Sequence, residues 1–136
     1  MVQQKEISLQ GYKRGYHLIT SVIENSLKEL PEKGLLHILV KHTSAGITIN
    51  ENADPSVRRD FSTFMDDLVP ENYSRFVHNL EGSDDMPAHL KASLIGQSIT
   101  IPITNHRLNL GIWQGIYFCE FRNYGGTRYL VLTIYS

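Results

Sequence analysis

The C-terminal third of the chain alternates apolar and polar residues with few interruptions. Ser98 to Ile103, Leu108 to Arg122 and Thr127 to Tyr135 all carry a period of two. That period marks strands with one face turned to a core. Asn123-Tyr124-Gly125-Gly126 reads as a hairpin connection between the last two of them. Inside the long central stretch, Gly111-Ile112-Trp113-Gln114-Gly115 sets two glycines around the single tryptophan. A bulge or close backbone approach is expected there, with Trp113 buried and sealing the core.

The preceding segments add helices to this β-rich frame. Gln3 to Leu9 reads as an edge strand ended at the Gly11 turn, and Tyr16 to Ile19 as a short extended piece. Ser21 with Glu24 has the form of a capping box, opening a helix that carries Val22, Ile23, Leu27 and Leu30 and stops at Pro31. Leu35 to His42 is apolar on both faces, which predicts a strand covered on both sides. Ala45, Ile47 and Ile49 alternate as a half-buried strand. Asp54-Pro55 then predicts a helix start, with a stripe of Val57, Phe61, Phe64, Met65 and Leu68 running to Pro70. Glu71 to Asp85 is polar and irregular, and a short helix from about Pro87 to Leu94 is expected, capped by Asp84 or Asp85. Two to three helices among consecutive strands define an α+β class, with a mainly antiparallel sandwich or barrel-like core.

The 136 residues suit one domain, 1–136, without a staple of disulfides or structural metal. A net charge of −1 gives no footprint for nucleic acid or an anionic membrane, so neither is expected as a partner. No apolar run reaches the length of a membrane span, and Met1 to Glu6 has no signal-peptide core. The lone Cys119 can form no internal disulfide and reads as an inert core thiol. A cytoplasmic protein is the expectation.

Chemistry concentrates in histidines and carboxylates beside turn-prone residues. His42 precedes Thr43-Ser44-Ala45-Gly46, His78 lies in the polar segment leading to Asp84-Asp85, and His89 stands early in the short helix. Neutral imidazoles suit zinc and its neighbours, and three of them with an open position describe a catalytic site. Glu51, Glu81, Asp84 and Asp85 can orient such ligands or bind magnesium. The spacing matches no local metal motif, so a core histidine, a surface histidine and a cap side chain are the plain alternative. His17 and His37 read as structural, His37 as a hydrogen-bonded core imidazole, and His106 as a solvated loop side chain. The small-residue corner at Thr43 and Ser44 can bring backbone N–H groups to a phosphate, with Lys91, Arg107, Arg122 and Arg128 as sources of charge.

Taken together, several blocks resemble the YjbQ-like family, whose members are often labelled secondary thiamine-phosphate synthase. They are His42-Thr43-Ser44-Ala45, Thr48 through Asn52, Asp54-Pro55, His78 with Glu81-Gly82, Asp84 through Ser93, and Gly111 to Ile116 with Glu120-Phe121-Arg122. The resemblance spans nearly the whole chain. It departs at Ile112, where the family usually has threonine, and at His106, where it usually has glycine. It implies an antiparallel α+β sandwich assembled as a homotrimer, with a metal or anion site near the subunit contacts. Carried over by residue, the metal set is His42, His78 and His89, binding zinc or magnesium. Glu81, Asp84 and Asp85 fall in catalytic, ligand-orienting positions, and Thr43, Ser44 and Lys91 in phosphate-holding ones.

The implied reaction joins hydroxymethylpyrimidine diphosphate to thiazole phosphate and releases pyrophosphate. Two rivals stand beside it: metal-assisted hydrolysis of a phosphate ester or other metabolite, and a non-catalytic trimeric assembly module in which the histidines bridge subunits.

Overall fold

The computed structural model describes residues 1–136. Strands β1 (Val2–Leu9), β2 (Gly15–Leu18), β3 (Lys33–Val40), β4 (Ala45–Glu51), β5 (Ser98–Thr104), β6 (Arg107–Leu108), β7 (Gln114–Glu120) and β8 (Arg128–Tyr135) form two antiparallel sheets. Helices α1 (Thr20–Ser26), α2 (Pro55–Leu68) and α3 (Asp85–Ile95) complete the α+β chain. The larger sheet runs β1-β8-β3-β5-β6 and the smaller β2-β7-β4.

The smaller sheet is the middle layer, and β7 shows why. Its Ile116 and Phe118 join Leu36, Ile38, Leu130 and Leu132 of the larger sheet in one core. On its other face Tyr117 and Cys119 meet Tyr16, Met65, Ala88 and Ala92 in a second core, roofed by α2 and α3. A strand buried on both faces cannot alternate apolar with polar residues. Glu120 is the exception: it is wholly buried and is matched by Arg128.

Several elements fall where the sequence placed them. Asp54 caps α2, its Oδ1 accepting the Ser56 N–H at 2.9 Å, with Pro55 in the first turn. The edge strand, β4, β5 and β8 match to within a residue or so.

Other elements differ. The long strand expected over Leu108 to Arg122 is broken by a loop at 109–113. Trp113 lies in that loop and is 63% exposed, so it seals nothing. The Asn123–Gly126 connection does not close a hairpin, because β7 and β8 belong to different sheets. No capping box opens α1: Ile19 is the cap residue, and Ser21 lies inside the first turn. That helix ends at Ser26, short of Pro31. On β3 only Leu36, Ile38 and Val40 face the core. Leu35 and Leu39 are exposed on the outer face, where half-buried His37 also sits. Phe64 and Leu68 of the α2 stripe likewise point to solvent. His106 is one of two positive-φ residues in the β5–β6 turn, and its Nδ1–H donates to Leu30 O at 2.9 Å.

Candidate metal centre

Helix geometry brings the first two groups together. Asp85 opens α3 and His89 follows four residues on, so both side chains project from one face. Asp85 Oδ2 lies 3.2 Å from His89 Nε2. His78, on the exposed segment leading into the helix, brings its own Nε2 to 2.6 Å from the same oxygen. All three donor atoms lie within 4.8 Å of one another. Asp85 is 2% exposed, whereas the two imidazoles remain open to solvent on one side.

The surroundings fix each group. His89 Nδ1 stands 3.0 Å from the backbone oxygen of Thr43. A carbonyl only accepts, so Nδ1 carries the hydrogen, and the neutral ring presents a lone pair at Nε2. That lone pair faces an ionised carboxylate oxygen. Two lone pairs at this distance repel unless a cation, either a proton or a metal ion, stands with them. Asp85 Oδ1 is taken by Arg122 Nη1 at 2.6 Å. Arg122 also donates from Nε to Asp84 Oδ2 at 2.9 Å and from Nη2 to the backbone oxygen of Glu81 at 2.9 Å. One guanidinium thus pins the turn that presents the site.

Burial alone would raise the Asp85 pKa. The His78 hydrogen bond and the nearby Arg122 charge outweigh it and hold the carboxyl below the usual range. Asp84 follows the same pattern: desolvation is overcome by the Asn123 N–H and by Arg122. Both carboxylates are therefore ionised at neutral pH.

The structure divides the residues expected from the sequence. His78 and His89 come together, and Asp85 stands directly between them. His42 is outside this group: its Nε2 accepts the Tyr129 N–H at 2.8 Å, and its ring stacks on Tyr129. Burial, with help from Arg128, lowers the His42 pKa, so the ring is neutral at pH 7. Asp84 serves as an anchor for Arg122, and Glu81 gives a backbone oxygen rather than its carboxylate. Thr43 likewise contributes its carbonyl.

Ser44 and Lys91 are engaged away from the histidines. Ser44 Oγ accepts from Arg128 Nη2 at 3.0 Å, and Lys91 Nζ contacts Asp66 Oδ1 at 2.5 Å. Lys91 follows His89 by two residues, which turns it to the other side of α3, where it is 1% exposed. Sequence reasoning gave Asp85 a ligand-orienting, magnesium-binding or catalytic role, outside the histidine metal set. The i, i+4 spacing of Asp85 and His89 was the signal for a direct one. For Arg122 the only signal was a basic residue just beyond a buried strand.

Fold and site together define a small α+β sandwich that presents two imidazoles and a carboxylate where a helix begins. The family model described as UPF0047 protein YjbQ-like matches residues 5–136, and the chain belongs to that family. UPF0047 protein YjbQ of Escherichia coli O157:H7 is 44% identical over 136 residues, covering 98% of each chain. Its counterpart from Salmonella typhimurium is 46% identical over 136 residues, again at 98% of each. Among solved structures, a conserved hypothetical protein from Thermus thermophilus superposes with a TM-score of 0.83 at 30% identity, covering 97% of this chain and 99% of that one.

Proposed function

We propose that His78, Asp85 and His89 hold a divalent cation, and that the protein uses it on a phosphate-bearing small molecule. The observation that carries this reading is the convergence of two imidazole nitrogens, His89 Nε2 and His78 Nε2, on one oxygen of the ionised Asp85 carboxylate. The donor set fits such an ion: two nitrogens and one oxygen from the protein, outer partners on both His89 and Asp85, and a solvent-facing side left free. Zinc suits this set better than magnesium, which favours an all-oxygen shell. When bound, the cation would polarise a phosphate oxygen or lower the pKa of a water molecule. The chain's own contribution is to keep Asp85 ionised, fix the His89 tautomer through Thr43, and hold the helix start through Arg122.

Within this reading, the family resemblance suggests the coupling of hydroxymethylpyrimidine diphosphate with thiazole phosphate. The cation would then meet the diphosphate leaving group. We place this chemistry in the cytoplasm, as the lone buried thiol suits, and in a homotrimer. Val77 and Leu80, which flank His78, are 92% and 96% exposed, a surface that subunit contact would cover.

Elemental mass spectrometry of the untagged protein beside His89→Ala tests the metal. About one zinc per chain, lost in the variant, is expected; no metal after incubation with zinc or magnesium would refute the site. Supplying both substrates tests the reaction, with thiamine phosphate expected above the His89→Ala background. Light scattering that returned a monomer at high concentration would remove the trimer.

A further inference from the structure

A second constellation lies between β2 and α2 and shares no residue with the histidine group. An open cleft of about 690 Å³ is lined there by Arg14, Arg58 and Arg59, with His17, Ser62 and Tyr16. No carboxylate is among its lining residues. A smaller cavity of about 200 Å³ adjoins it, sharing Arg14, Gly15, Tyr16 and Ser62. The two carboxylates of that smaller cavity are already answered, Asp66 by Arg14 and Lys91, Glu120 by Arg128.

The guanidinium groups differ in their commitments. Arg14 is bonded to Asp66 at 2.7 Å and to Glu71 at 3.3 Å. Arg58 and Arg59 form no direct ion pair, although the Arg59 charge is felt by Asp54, so the cleft wall presents two guanidinium groups and no carboxylate. Arg58 leans on the Tyr117 ring at 5.9 Å, and its buried Nε–H has no acceptor. Tyr16 is 6% exposed, and its hydroxyl has no partner either, although the residue lines both cavities. Buried donors are normally satisfied, so the Tyr16 hydroxyl and the Arg58 Nε–H, both orphaned at this cleft, call for an acceptor. Gly15, at φ +140°, takes a backbone conformation that L side chains rarely adopt where it lines both cavities.

We propose that this cleft binds the phosphate or diphosphate group of a small molecule, held by Arg58 and Arg59 with the Ser62 and Tyr16 hydroxyls donating. Two guanidiniums and two hydroxyls offer more donors than the two oxygens of a carboxylate accept. Their charge of +2 matches a phosphate dianion, and the planar fork of arginine suits its oxygens. His17 forms one wall, stacked on Tyr12 at 4.8 Å with its Nε2–H fixed on the Lys13 oxygen. The site stands independently of any metal at Asp85.

Isothermal titration with inorganic pyrophosphate, in the presence of EDTA, tests it on the full chain. Binding is expected in the wild type and should weaken at least tenfold in Arg58→Ala/Arg59→Ala. Tyr16→Phe, which keeps the ring and the fold, should weaken it severalfold. Amide shifts in NMR spectra should move first at Gly15, Arg58 and Ser62. No binding by the wild type at millimolar pyrophosphate would overturn the proposal. So would affinity that survives the arginine double variant but disappears in His89→Ala, since that places the anion at the histidines.

Discussion

Arg128 offers the most direct test of how this fold is held. It sits between the sheets at 5% exposure, with Nε 2.7 Å from Glu120 Oε1 and Nη2 2.6 Å from Oε2, against a carboxylate that is 0% exposed. Removing the guanidinium leaves that carboxylate buried, with only the Arg122 N–H at 3.1 Å as company. Stranding one member of a buried pair costs about 3–5 kcal/mol. For a domain of this size each kcal/mol moves Tm by roughly 3–4 °C, so Arg128→Met should melt about 10–20 °C below the wild type. Circular dichroism at neutral pH, repeated in urea, measures it. Most of the loss is the penalty on the orphaned charge rather than the worth of the pair. Glu120→Gln/Arg128→Met should therefore recover part of the deficit. A double variant as unstable as the sum of the two singles would refute this account, as would a fall in Tm of only a degree or two for Arg128→Met.

Four further outcomes follow from burial and charge in this fold. Stability should fall in acid in two stages: first below about pH 6.5, because the folded state holds His42 in its neutral form, and again below about pH 4, because Asp66, Asp84 and Asp85 are held below the usual range. In both stages the unfolded chain takes up protons more readily, so urea melts from pH 8 to 3 should show monotonic loss. Gly46→Ala should destabilise the fold by about 1–3 kcal/mol, since a Cβ would lie 2.8 Å from the Gly96 oxygen at the end of α3; an unchanged urea midpoint would contradict it. Cys119, buried and with its thiol pushed up by desolvation, should react with thiol reagents only after unfolding, whereas Trp113 should be quenched readily by iodide in the native state.

The sequence was most legible where one local force decides the outcome. Asp54-Pro55 starts α2 because a cap and a fixed φ act within a single turn. The strand period survives in β5 and β8 because each has one covered face. It failed on β7, where both faces are buried, and on Leu35 and Leu39, whose apolar character says nothing about which layer covers them. The break at 109–113 and the exposure of Trp113 depend on strands β6 and β7 entering different sheets, a non-local fact. His78 and His89 were legible as chemistry-bearing residues near turns. Their shared oxygen was not, because it depends on a loop folding back on the first residue of a helix. Nor could the sequence show that Ser44 and Lys91 are engaged by Arg128 and Asp66, partners 84 and 25 residues distant.

The order of the larger sheet also bears on how the chain assembles during synthesis. Strand β8 lies between β1 and β3, its register running from Leu9 opposite Arg128 to Val2 opposite Tyr135, and the amide of Ser136 donates to the Met1 oxygen. The central partner of two early strands therefore follows all seven other strands in the chain. Until it emerges, β1 has no neighbour and β3 has only β5. A nascent chain stopped before Arg128 would expose two strand edges together with the inner face of Leu36, Ile38 and Val40. Until β8 is synthesised, the unfinished sheet is the species that a holdase chaperone would meet.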